Sequence, residues 1–184
     1  MTIVSTIFLV FKITGYIAES TDHEDCDKFL GAFTGYNSAS ICASKYISDD
    51  PKYKECLGHD NSPGGVEVYA MGDGGAIKIS IFTARLPIER YQLMDTTVYI
   101  VFKVSFFSSI YKKHDERFLG VYLQYAHALE CAKKYGAGNR EILGGENSPG
   151  GIEIYSKEIK GGTVSERIAI YASRPDHLLC WGAQ

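Results

Sequence analysis

The 184-residue chain has no surplus of basic side chains: 19 Lys plus Arg stand against 22 Asp plus Glu, a formal net charge of −3. Displacing counterions from nucleic-acid phosphates needs such a surplus, so no nucleic-acid partner is expected. Long apolar runs are missing too. The run from Ile3 to Phe11 is interrupted by Lys12 and has no positive charge before it, and it falls short of the roughly 20 residues that span a bilayer. Neither a membrane span nor a signal peptide is expected. Among the five cysteines, Cys26, Cys42, Cys56, Cys131 and Cys180, there is no CxxC pair and no even count, which argues against a disulfide framework and for a cytoplasmic or other reducing compartment. The five histidines lack ligand spacing, so neither a metal nor a cofactor is expected. What is present is enough apolar material for a core, with 45% hydrophobic and 22% charged residues.

The strongest positive signal is an internal duplication. Ile7 to Ile13 reappears as Val98 to Val104, apolar but for a shared lysine, Lys12 and Lys103. Phe29-Leu30-Gly31, followed by Tyr36, Ala39, Cys42, Ala43 and Tyr46, returns 89 residues later as Phe118-Leu119-Gly120, Tyr125, Ala128, Cys131, Ala132 and Tyr135. The segment Leu57 to Tyr69 returns 86 residues later as Leu143 to Tyr155, identical at nine of thirteen positions. A period of this length is the size of a small domain, so the chain divides into repeats 1–92 and 93–184, joined around Ile88 to Thr96.

Each repeat reads as strand, short extended piece, helix, strand, strand. Residues 7–13 alternate as a strand does, and Tyr36, Ala39, Ala43 and Tyr46 recur on one helical stripe. Ser62-Pro63-Gly64-Gly65 and Ser148-Pro149-Gly150-Gly151 are turn chemistry that leads into a strand. Gly72 to Gly75 and Gly161-Gly162 then close hairpins. The expected fold class is α+β, a tandem pair of strand-helix-strand-strand sandwich units about a pseudo-two-fold axis.

Placing Ile7, Leu9, Phe11 and Ile13 on the helix side leaves an aromatic opposite face with Phe8, Tyr69 and Phe82 in the first repeat and Tyr99, Tyr155 and Tyr171 in the second. Opposite charges, Glu67 with Lys78 and Glu153 with Arg167, suit cross-strand ion pairs on that face. These aromatics, with Arg85 and Arg174 at the strand ends, are the expected partner-binding residues; the same faces also suit packing of the two repeats against each other. The first repeat is the more acidic, largely through Asp22, Glu24, Asp25 and Asp27. The tail Leu178 to Trp181 is expected to dock on the body or on a neighbouring subunit.

Catalytic residues do not recur. Cys131 has His127 four positions before it, but Cys42 has Ser38 there, and a cysteine beside an alanine stripe reads as a core filler. The Ser-Pro-Gly-Gly loops enter strands, whereas phosphate-cradling loops enter helices. The expectation is therefore a non-enzymatic interaction or structural protein, part of a larger assembly through a protein partner or self-assembly. The alternative is a small-ligand-binding module or hydrolase with a site between the repeats.

Overall fold

The computed structural model describes residues 3–14, 28–59, 65–71, 77–107, 114–136, 138–146, 148, 150–158 and 164–176. The first repeat runs β1 (Ser5–Thr14), β2 (Lys28–Phe33), α1 (Tyr36–Ser44), β3 (Tyr53–Cys56), β4 (Glu67–Met71) and β5 (Ile77–Leu86). A short helix α2 (Arg90–Met94) joins it to β6 (Val98–Phe107), β7 (His114–Tyr122), α3 (Tyr125–Tyr135), β8 (Asn139–Ile142), β9 (Glu153–Glu158) and β10 (Val164–Ser173). Each repeat forms a five-stranded antiparallel sheet, in the orders β2-β1-β5-β4-β3 and β7-β6-β10-β9-β8. The α+β duplication is thus present, with more strand than the sequence disclosed. The extended piece before each helix is a full edge strand, and β3 and β8 are short outer strands whose four residues are all exposed.

The alternation in β1 is real, but its two faces are the reverse of the sequence-based expectation. Ile7, Leu9, Phe11 and Ile13 point at the second sheet and share a buried core with Val98, Ile100, Phe102 and Val104. Val10, Ile79 and Ile81 lie under α1 with Ala39 and Ala43, and Phe8 packs beside them. The reason is one of area. A nine-residue helix covers about 14 Å of a strand, whereas a ten-residue strand runs about 33 Å. The helix side can therefore tolerate Lys12, and the uninterrupted apolar face goes beneath a whole sheet.

Pseudo-two-fold symmetry is written in the rings of that central core. The equivalent residues Phe11 and Phe102 stack on each other, 4.6 Å between centroids and 15° between planes. Around them, Phe11 meets Tyr171 edge-on at 5.4 Å and Phe102 meets Phe82 edge-on at 5.5 Å. Phe29 then lies 5.4 Å from Tyr171, and Phe118 lies 5.7 Å from Phe82. Each of these named contacts has its mate under exchange of the repeats, and Phe11 in addition meets Phe29 at 5.1 Å and Phe82 edge-on at 5.8 Å. With β2 against β10 and β7 against β5, the outer strands β3 and β8 project at opposite ends of the sandwich.

Two local features fix the chain entering β4 and β9. Gly65 and Gly151 have φ of +82° and +93°, and a Cβ on either would sit 2.7 Å from the carbonyl oxygen of Ile81 or Ile170. Only glycine fits there. The next N–H groups, of Val66 and Ile152, donate to those same oxygens at 2.7 and 2.8 Å, setting the ladder register. Asp176, just past β10, reaches into the other repeat: its N–H donates to the Ala32 oxygen at 2.8 Å, and its carboxylate accepts from the Thr34 N–H at 3.0 Å and from the Thr34 hydroxyl. Ser62, Pro63, Gly64, Pro149, the glycine hairpins, the Asp22 to Asp27 loop, Cys26, Cys180 and the 178–181 tail lie outside the described residues.

Candidate functional site

On the helix side of each sheet the same group of side chains is assembled from the same four sources. In the first repeat Glu67, the first residue of β4, is 3% exposed. It accepts hydrogen bonds from the Tyr36 hydroxyl at the start of α1 and from the Lys54 ammonium on β3. Tyr69, two residues along β4 and so on the same face, adds a further hydrogen bond and lies under the Lys54 cation, 5.0 Å from Nζ to ring centroid. In the second repeat Glu153, 1% exposed, accepts from Tyr125 on α3, from Tyr155 at 2.6 Å, and from Arg140 on β8. Phe8 and Tyr99 support the two helix tyrosines edge-on at 5.7 and 5.6 Å.

The electrostatics follow from that geometry. Burial pushes the Glu67 carboxyl up, but hydrogen bonds from Lys54, Tyr36 and Tyr69 outweigh it and hold the group below the usual carboxylate range. Tyr36, donating to that carboxylate, is pushed up to about 12. Tyr125 and Tyr155 are raised by burial and then by Glu153, and Arg140 is raised by the same carboxylate. Held below the usual range and ringed by donors, Glu67 is a satisfied structural anion with no proton to exchange near neutrality.

The cross-strand ion pairs are accordingly with other partners than expected. Glu67 stands opposite Ile81, and Lys78 stands opposite Ala70 on the other face; Arg167 stands opposite Ser156. The cations come from β3 and β8, the strands too short and too exposed to show a period. A signal for them did exist: Lys54-Glu55-Cys56-Leu57-Gly58 and Arg140-Glu141-Ile142-Leu143-Gly144 sit at the same 86-residue offset as the glycine turns. The six expected aromatics do not form one face. Phe8, Tyr69, Tyr99 and Tyr155 gather on the helix side, whereas Phe82 and Tyr171 are buried between the sheets and serve the central core. Arg85 is exposed at the end of β5, and Arg174 pairs with Glu146 at 3.2 Å.

The thiols fit the filler reading. Burial raises Cys42, whose sulfur faces the Leu30 carbonyl at 3.8 Å, and Cys131 is hydrogen-bonded with Tyr122. Cys42, Cys56 and Cys131 are not in disulfides. Among the described residues no group of three His, Cys, Asp or Glu is placed to hold a metal ion, and no helix is long and apolar enough to cross a membrane. A cavity of about 320 Å³ opens in the second repeat, lined by Tyr99, Tyr125, Arg140, Ile142, Ile152 and Ala172 among others. No protein-family model, curated protein or solved structure matches this chain.

Proposed function

We propose that this protein is a non-enzymatic connector, a component of a larger assembly that offers a protein-binding surface at each end of its two-repeat sandwich. The observation that carries this reading is the distribution of exposed apolar side chains. Among the described residues, Ile3, Val4, Tyr91 and Met94 are exposed near the start of β1 and on α2, and the others lie along the same stretch of both repeats, from the helix to the outer strand: Tyr36, Ile41, Tyr46 and Tyr53 in the first, Tyr135, Ile142 and Leu143 in the second. Ile41 is 60% exposed and Ile142 74%. Large apolar groups held in water beside an open strand edge are what a partner would cover. Because the two outer strands face opposite ways, one molecule carries two such surfaces and can bridge neighbours.

The recurring polar chemistry agrees. Both buried glutamates are saturated by structural donors, so the duplicated residues maintain shape and leave recognition to the surface. The test is co-purification of the full chain from its native source, followed by light scattering on a sizing column. A stoichiometric protein partner, weakened by Ile41→Glu or Leu143→Glu alone and lost in the double variant, is the expected result. A monomer that retains no partner overturns the reading.

A further inference from the structure

The cavity of the second repeat lies within one copy, between the start of β6, the start of α3, the strand β8 and the loop entering β9. Its walls divide by chemistry. Ile142, Ile152, Ala172 and the Tyr99 ring supply an apolar body, while Arg140 supplies a cation at one side and Glu146 an anion at another. The volume of about 320 Å³ is at the lower end of ordinary small-ligand pockets, which run from about 300 to 1,000 Å³.

Arg140 is the residue with capacity to spare. Glu153 already takes three donors and is sealed from solvent. Arg140 meets it through Nε, bonds also with Tyr125, and remains about half exposed. A guanidinium has five N–H donors in a planar fork, so a carboxylate approaching from the cavity can be gripped bidentately while Glu153 holds the arginine in place. Glu146 at the rim, itself tied to Arg174 at 3.2 Å, disfavours a second negative charge on the ligand.

The first repeat shows which of these features are particular to the second. Opposite Arg140 it has Lys54, opposite Ala172 it has Thr83, opposite Tyr99 it has Phe8 and opposite Ile142 it has Cys56. Lysine serves the buried glutamate as well but lacks the fork, and threonine is the bulkier residue where the second repeat has alanine. We propose that the second repeat binds a small monocarboxylate with an apolar or aromatic body, its carboxylate on Arg140 and its body against Tyr99, Ile142 and Ala172. Ile142 belongs to both this site and the connector surface, but Arg140 and Ala172 belong to this site alone, so their variants test the ligand reading while Ile41→Glu and Leu143→Glu test the connector.

The experiment titrates the full chain with phenylacetate, L-phenylalanine, benzyl alcohol and inorganic phosphate, followed by calorimetry and by amide shifts in NMR spectra. Saturable binding of phenylacetate is expected, with shifts centred on Thr97, Ile142 and Ala172 and at least tenfold weaker binding of benzyl alcohol and phosphate. L-Phenylalanine binding more tightly than phenylacetate would contradict the ligand class, because it would make the ammonium on Glu146 the dominant contact. Arg140→Lys keeps the partner that Lys54 provides for Glu67, and Ala172→Thr fills the cavity with the first repeat's residue. Both are expected to fold and to lose phenylacetate affinity by about tenfold or more. Absence of saturable phenylacetate binding, or binding that survives both variants unchanged, overturns the proposal.

Discussion

The two repeats keep the buried glutamate cluster and the turn glycines and differ in the residues around them, some of them buried, such as Thr83 and Ala172. Glu67 and Glu153, Tyr36 and Tyr125, Tyr69 and Tyr155, Gly65 and Gly151 occupy matched places with matched contacts. A lysine stands where its counterpart is an arginine, and a polar Thr34–Asp176 clasp reaches from one repeat to the other where the second repeat places Leu123 against the central core. The lesson is that a buried carboxylate constrains its neighbours far more than an exposed cation does. Removing any donor strands charge or a polar group away from water, whereas exchanging one cation for another at the surface alters only geometry. Divergence of function between the copies is therefore to be sought at Arg140, Tyr99 and Ala172 and not at the glutamates.

That comparison can be broken most forcefully at the axis. Phe11→Ala and Phe102→Ala remove the two halves of one stack, and each is expected to lower unfolding free energy by about 3–5 kcal/mol, by similar amounts in urea denaturation. A large effect of one and a small effect of the other would show that the repeats do not share the core equally. Next in size are the glycines. Gly65→Ala and Gly151→Ala each force a Cβ toward a carbonyl at positive φ, and a loss of about 2–3 kcal/mol in each is expected from denaturant midpoints.

The smallest effects sharpen the polar comparison. Tyr36→Phe and Tyr125→Phe each delete one donor to a buried glutamate while keeping the ring, at a cost of about 1 kcal/mol. Their pH dependence has a defined sign. Tyr36 in the folded protein titrates at about 12, above the usual phenol near 10. Its contribution is present below the ordinary value and is lost as pH rises through the folded one. The Glu67 carboxyl is lowered, so its contribution is present above the ordinary carboxylate range and is lost as pH falls through and below it. Ultraviolet titration should show a high-pH phenol that Tyr36→Phe removes, and Glu67→Gln should flatten part of the acid limb of stability.

Much of this architecture was legible in the sequence because repetition amplifies weak signals. The helix stripe of Ala39 and Ala43, the alternation of β1 and the turn glycines each appear twice. The orientation of β1 was not legible. Alternation separates two faces but does not say which one meets the helix, and here both are apolar apart from Lys12. The strands β3 and β8 escaped for a related reason: Tyr53 to Cys56 and Asn139 to Ile142 are exposed on both sides, so burial imposes no period on them. Missing those strands assigned the wrong cations to Glu67 and Glu153. The cavity of the second repeat escaped as well, because it depends on a side chain that is small, Ala172, and small residues leave no pattern.

The central claim is that one module is written twice and packed face to face through the continuous apolar side of β1 and β6. Aromatic and methyl proton contacts in a nuclear Overhauser spectrum of the intact chain test it most directly. The account predicts cross-peaks between the Phe11 and Phe102 rings, with the paired contacts Phe11 to Tyr171 and Phe102 to Phe82. Cross-peaks from Phe11 and Leu9 to the Ala39 and Ala43 methyls, with none from Phe11 to Phe102, would contradict it.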